Sequence, residues 1–95
     1  MKKHIIITGK VQGVGFRYWL YKAAIQKNVG GWVKNKISGE VEAVLIGNDA
    51  EINNLIKLCK KGPASSEVVK VKVQNYQKEL FDVKFVPLLN ENIKH

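Results

Sequence analysis

The chain has 95 residues, 45% of them hydrophobic and 25% charged, with 16 Lys and Arg against 8 Asp and Glu for a net charge of +8. That length leaves room for one hydrophobic core, and that composition excludes a disordered, coiled-coil or collagen-like chain. The positive excess raises the local concentration of any anion, whether nucleic acid, acidic lipid or phosphorylated metabolite, without choosing among them. Cys59 is the only cysteine, so an intrachain disulfide is impossible and the domain must be held by packing. The apolar run Ile5-Ile6-Ile7 is too short for a signal peptide, and no stretch approaches the roughly 18 apolar residues of a membrane span. The cytoplasm is the expected compartment.

His4 to Thr8 is β-branched and apolar, which predicts a short strand. Gly9 to Gly15 is too rich in glycine for the interior of a helix or a strand. From Phe16 the period changes: Phe16, Trp19, Leu20, Ala23 and Ala24 fall on one face of a helix, and Asn28 with Gly30-Gly31 closes it. Trp32 to Lys34 is extended, and Asn35 to Gly39 has the composition of a hairpin connection into a strand from Glu40 to Ile46. Asn48 caps a second helix, with Glu51 at capping-box spacing, Ile52, Leu55, Ile56 and Cys59 inside, and Gly62-Pro63 as the stop. Two further strands alternate, one with Val69, Val71 and Val73 on its buried face, the other with Phe81, Val83 and Phe85. The order β-α-β-β-α-β, with a further short strand near the C-terminus, predicts an α+β fold. Its architecture is a ferredoxin-like sandwich with two helices on one face of a mostly antiparallel sheet. That fold carries many activities, so function has to be argued from a site.

The informative stretch is Gln12-Gly13-Val14-Gly15-Phe16-Arg17, where a strand hands over to a helix. The first amides of a helix have no intrahelical acceptor and carry the positive end of its dipole, and glycines ahead of them let amides converge on an anion. Arg17 in that first turn is misplaced by roughly 0.3–1 kcal/mol unless an anion binds there, in which case guanidinium and amides grip the same oxygens. Walker A spacing fails, because Gly9 and Gly15 stand too far apart and no Lys-Ser/Thr pair follows. A dinucleotide site fails too, since position 18 is Tyr and no acidic residue precedes Glu40. The aromatic RNA-reading motif requires a central strand, and here the residues lead into a helix.

Gly9-x-Val11-Gln12-Gly13-Val14-x-Phe16-Arg17 resembles the first signature of the acylphosphatase family. Gly31-Trp32-Val33-Lys34-Asn35-x-x-x-Gly39-x-Val41 resembles the second, with Gly47 at its closing glycine. The likeness covers residues 4 to about 86 of a single domain spanning 1–95, leaving 87–95 as a C-terminal tail. The resemblance implies hydrolysis of the carboxyl–phosphate anhydride of an acyl phosphate, giving a carboxylate and inorganic phosphate. It implies that the amides of Gln12, Gly13, Val14, Gly15, Phe16 and Arg17, with the Arg17 side chain, hold the phosphoryl group, or inorganic phosphate or sulphate in its place. Asn35 is implied to position the attacking water, with no metal, no cofactor and no phosphoenzyme. The expected protein is a monomer with a small-molecule substrate and without membrane or nucleic-acid partners.

Residue chemistry points the same way. A carboxylate is a good leaving group that needs no acid to protonate it, and phosphoryl transfer is driven mainly by positioning and electrostatics. The two histidines, His4 and His95, lie at the termini, so no general base is evident, and proton removal by the substrate's own phosphate fits that absence. Glu40 and Glu42 alternate with Val41 and Ala43 as a solvated strand face, and Cys59 is expected in the core. Lysines such as Lys22, Lys27, Lys34, Lys36, Lys57, Lys60 and Lys61 form solvated surfaces that draw anions in. Two alternatives stand beside this reading: a non-catalytic anion- or nucleic-acid-binding module, and a domain working inside a larger protein. Chain length in a native cell extract discriminates the second, because this sequence carries an initiating Met and a full set of elements.

Overall fold

The computed structural model describes residues 1–78 and 84–87. In chain order the elements are β1 (Lys2–Lys10), α1 (Phe16–Gln26), β2 (Gly30–Asn35), β3 (Val41–Ile46), α2 (Asp49–Lys61), β4 (Glu67–Asn75) and β5 (Phe85–Pro87). They form one five-stranded sheet in the order β4-β1-β3-β2-β5. Neighbours run antiparallel except β2 and β5, which are parallel. This is the α+β, ferredoxin-like architecture that the chain's periodicity predicts.

Both helices bury their apolar stripes against the same face of the sheet. Ile5 and Ile7 of β1, Val33 of β2 and Val41, Ala43 and Leu45 of β3 form one core cluster with Phe16, Leu20 and Ala24 of α1 and Ile52, Leu55, Ile56 and Cys59 of α2. Each large side chain taken from water there stabilises the fold by about 1.5–3 kcal/mol, which substitutes for the missing disulfide. Trp19 and Ala23 lie at the margin of the α1 stripe and are partly buried against the cluster. Asn28 takes the expected left-handed conformation after α1, with φ of 55°. Among the described residues no helix is long and apolar enough to cross a membrane.

Three local expectations change. β1 runs on through Gly9 and Lys10, because pairing with Val68 and Glu67 of β4 outweighs the weak strand preference of those residues. In β4, Val71 faces inward as predicted, but Val69 is 78% exposed, and Val68 packs on the core instead. The cause is a bulge: Thr8 pairs with Lys70 while Gly9 pairs with Val68, so Val69 is the unmatched residue and the inward series shifts by one. Gly9 makes the bulge possible, since a Cβ there would lie 2.1 Å from the Glu67 carbonyl oxygen and 2.8 Å from the Val69 nitrogen. Val73, opposite Ile5 on this edge strand, is still 39% exposed. Of the last predicted strand, Phe85 is buried in β5, while Phe81, Val83 and residues 88–95 lie outside the described residues.

The helix-free face of the sheet is polar but not simply solvated. His4 Nε2 lies 2.6 Å from Glu42 Oε2, and Lys34 Nζ lies 3.7 Å from Glu42 Oε1. Thr8 and Ser38 both donate to the Glu40 carboxylate, at 3.2 and 2.9 Å. Both carboxylates are therefore tied to neighbouring side chains. Val44 is fully buried on the same face, in register between His4 and Trp32.

Candidate active site

Five residues, Val11 to Gly15, connect β1 to α1. Gly13 and Gly15 both adopt positive φ, 74° and 78°, and a Cβ added to either would meet nothing within 4 Å. Glycine is required here by backbone conformation and not by crowding, because an L side chain in this region costs about 1–2 kcal/mol. The open space beside the two glycines is a cavity of about 210 Å3, lined by Val11, Gly13, Gly15, Phe16, Arg17, Tyr18 and Asn35. It joins the start of α1 to the end of β2, segments 18 residues apart from Arg17 to Asn35 in the chain.

Helix α1 opens at this cavity without the usual capping. Gly15 occupies the N-cap position in the left-handed conformation, no side chain caps the helix, and its first turn holds no acidic residue. The helical ladder begins with the Trp19 amide donating to the Gly15 carbonyl at 3.0 Å, so the amides ahead of it stand outside that ladder. Positive dipole end and Arg17 guanidinium thus share one wall, a combination unfavourable in isolation and favourable toward an anion.

Gln12 fastens the opposite wall. Its Nε2 donates to the carbonyls of Lys36 at 2.6 Å and Glu40 at 2.8 Å, gripping both arms of the β2–β3 hairpin. Two carbonyl acceptors also settle which end of the carboxamide faces the hairpin. The hairpin is closed by the Lys36 amide on the Glu40 carbonyl at 2.8 Å, and Asn35 is the last residue of β2 just before it. Asn35 Oδ1 is buried, with no hydrogen-bond partner among the described residues. A buried acceptor left unpaired costs about 1–3 kcal/mol, so its place beside a cavity marks a group held ready for something that enters.

Of the residues the sequence singles out, Gly13, Gly15, Phe16, Arg17 and Asn35 meet at this cavity, while the side chain of Gln12 is committed to the hairpin and Val14 packs against the core. Val11 and Tyr18 also line the cavity, although neither is among the site residues expected from the sequence. For Tyr18 a signal existed, since a large ring two positions from the inward Phe16 cannot share its helix face. Glu40, Glu42 and His4 are not in the cavity wall. Cys59 is buried under α2, and burial pushes its thiol from 9.0 up to about 12, far from a reactive thiolate. Among the described residues no group of three or more His, Cys, Asp or Glu is arranged to hold a metal ion.

Fold and cavity together define a small α+β protein with a cavity, lined by Arg17 and Asn35, at a strand-to-helix turn. The family model for acylphosphatase matches residues 3–87. An acylphosphatase of Moorella thermoacetica is 43% identical over 74 residues, 78% of this chain and 80% of that protein. The crystal structure of acylphosphatase from Bacillus subtilis superposes with a TM-score of 0.86 at 31% identity, covering 92% of this chain and 97% of that one. Part of HypF from T. kodakarensis is similar as well, with a TM-score of 0.81 at 33% identity, covering 93% of this chain and 12% of that one. The chain belongs to the acylphosphatase family and is an enzyme of that class.

Proposed function

We propose that the enzyme hydrolyses acyl phosphates in the cavity between α1 and β2, working as a cytoplasmic monomer without a metal. The phosphoryl oxygens rest on the amides of residues 12–17 and on the Arg17 guanidinium, which supply positive charge where the transition state spreads negative charge. Asn35 offers its Oδ1 to an O–H of the attacking water and its amide N–H groups to a phosphoryl oxygen, fixing nucleophile and target relative to each other. The carboxylate leaves unprotonated, and the water's proton passes to the phosphate itself. Such a scheme asks for no protein base, in keeping with a cavity wall whose described residues include no carboxylate and no histidine.

The observation that carries this reading is the buried, unpartnered Asn35 Oδ1 beside the cavity that Arg17 and the two left-handed glycines also line. Its test is phosphate release from benzoyl phosphate in the presence of EDTA. Turnover is expected at undiminished rate, lost in Arg17→Ala and Asn35→Ala while their circular dichroism stays that of the wild type. Activity that disappears with EDTA and returns with a divalent cation refutes the metal-free reading. A variant of Arg17 that retains full turnover refutes the cradle.

A further inference from the structure

Tyr18 faces two hollows. One is the cavity that it shares with Arg17 and Asn35; the other, of about 360 Å3, lies along α1 beside Trp19, Lys22, Ala23 and Gln26. Positions 18, 22 and 26 follow each other at four-residue steps, as do 19 and 23, so this second hollow is a strip parallel to the helix axis. Its floor is apolar, with Trp19 and Ala23 half-buried and Trp19 braced edge-on against Phe16 at 5.2 Å between ring centroids. Its rim is polar. Tyr18 itself is 63% exposed, and Lys22 Nζ stands 5.6 Å from the centroid of its ring. The core does not explain a large ring in this place.

We propose that Tyr18 and the strip beyond it receive the acyl group of the substrate, making Tyr18 a specificity-determining residue that favours flat, apolar acyl groups. The inference rests on the reading above, in which the cavity holds the phosphoryl end. In an acyl phosphate a single bridging oxygen joins phosphorus to the acyl carbon, so the acyl group lies just outside whatever holds the phosphate. Tyr18 is the wall common to that cavity and the strip. An aryl ring reaches across it and stacks on the tyrosine face over an apolar floor, whereas an acetyl group is too short to gain from either. Lys22 above the tyrosine ring restrains it by a cation–π contact and leaves one edge of the strip charged.

The test is the ratio of kcat/KM for benzoyl phosphate to that for acetyl phosphate in the wild type, Tyr18→Ala and Tyr18→Phe. Tyr18→Ala is expected to lower the ratio by about tenfold, chiefly through KM for benzoyl phosphate, and Tyr18→Phe to keep it within about twofold of the wild type. An unchanged ratio in Tyr18→Ala overturns the inference while leaving acyl-phosphate hydrolysis intact, and so does a Tyr18→Phe that behaves like Tyr18→Ala. A wild type that releases phosphate from neither compound overturns the reading of the cavity and this inference with it.

Discussion

The two helices of this domain begin in opposite ways, although each follows a strand of the same sheet and packs on the same face of it. At α2, Asn48 sits in the extended conformation and its Oδ1 accepts from the amides of Ala50 at 2.9 Å and Glu51 at 3.4 Å. Asp49 and Glu51 add negative charge to that first turn, so the dipole is answered from within the chain. At α1 the N-cap is a left-handed glycine, the first turn has no acid, and Arg17 adds positive charge to the positive end. The difference teaches where this fold gathers positive charge at a helix end. In the function proposed above, a helix end that a single Asn would have satisfied is left to the substrate's phosphoryl group.

That contrast can be broken most decisively at Arg17. Arg17→Ala is expected to lower kcat/KM for benzoyl phosphate by about a thousandfold, within the range found when a cationic or oxyanion-stabilising group is removed from phosphoryl or acyl transfer. It should also abolish stabilisation by inorganic phosphate, which in the wild type amounts to about 1.4 kcal/mol at ten times the Kd. Calorimetry with and without phosphate measures this. Asn35→Ala should cost about a hundredfold in kcat, since it removes orientation of the water and leaves the electrostatic cradle. Because it also removes an unpaired buried acceptor, the folded protein should be no less stable in urea.

Gly15→Ala comes next. The alanine must take a φ of 78° at an energetic cost of about 1–2 kcal/mol, or else distort the cradle, so turnover falls about tenfold and thermal stability falls with it. Asn48→Ala is the mirror experiment at α2. It should lose about 1 kcal/mol of stability, a drop of about 4–8 °C in Tm, with kcat/KM unchanged. A loss of turnover there, at a temperature where the variant is folded, would remove the distinction between the two helix ends.

The smallest effect on turnover is expected on the buried side of α2. Cys59→Ala should leave kcat unchanged below pH 9. Burial holds the Cys59 thiol up to about 12 in the folded protein against 9.0 for an exposed thiol, so only the unfolded chain ionises readily in between. The thiol's contribution to stability is therefore complete below pH 9 and is lost as pH rises toward 12. Urea midpoints should converge between wild type and Cys59→Ala over that interval.

Much of this was legible in the chain because it depends on neighbours a few residues apart. The inner stripe of α2, its Asn48 cap, the glycines ahead of Arg17 and the order of elements all follow from local spacing and backbone preference. The register of β4 was not legible. Val69 alternates as well as Val71 does in sequence, and only pairing with β1, bulged opposite Gly9, turns it outward. Gln12 was equally opaque: an amide in a glycine loop suits an anion, and nothing nearby in the chain announces the two hairpin carbonyls that hold it.

Residue order alone was enough for the helix end that lacks a cap, because capping, glycine conformation and dipole act within one turn. Bringing Asn35 to the same cavity and tying Gln12 across the hairpin required the sheet. Those contacts join segments about 18 or more residues apart, and they are decided by strand register and core packing, which short-range preferences do not encode.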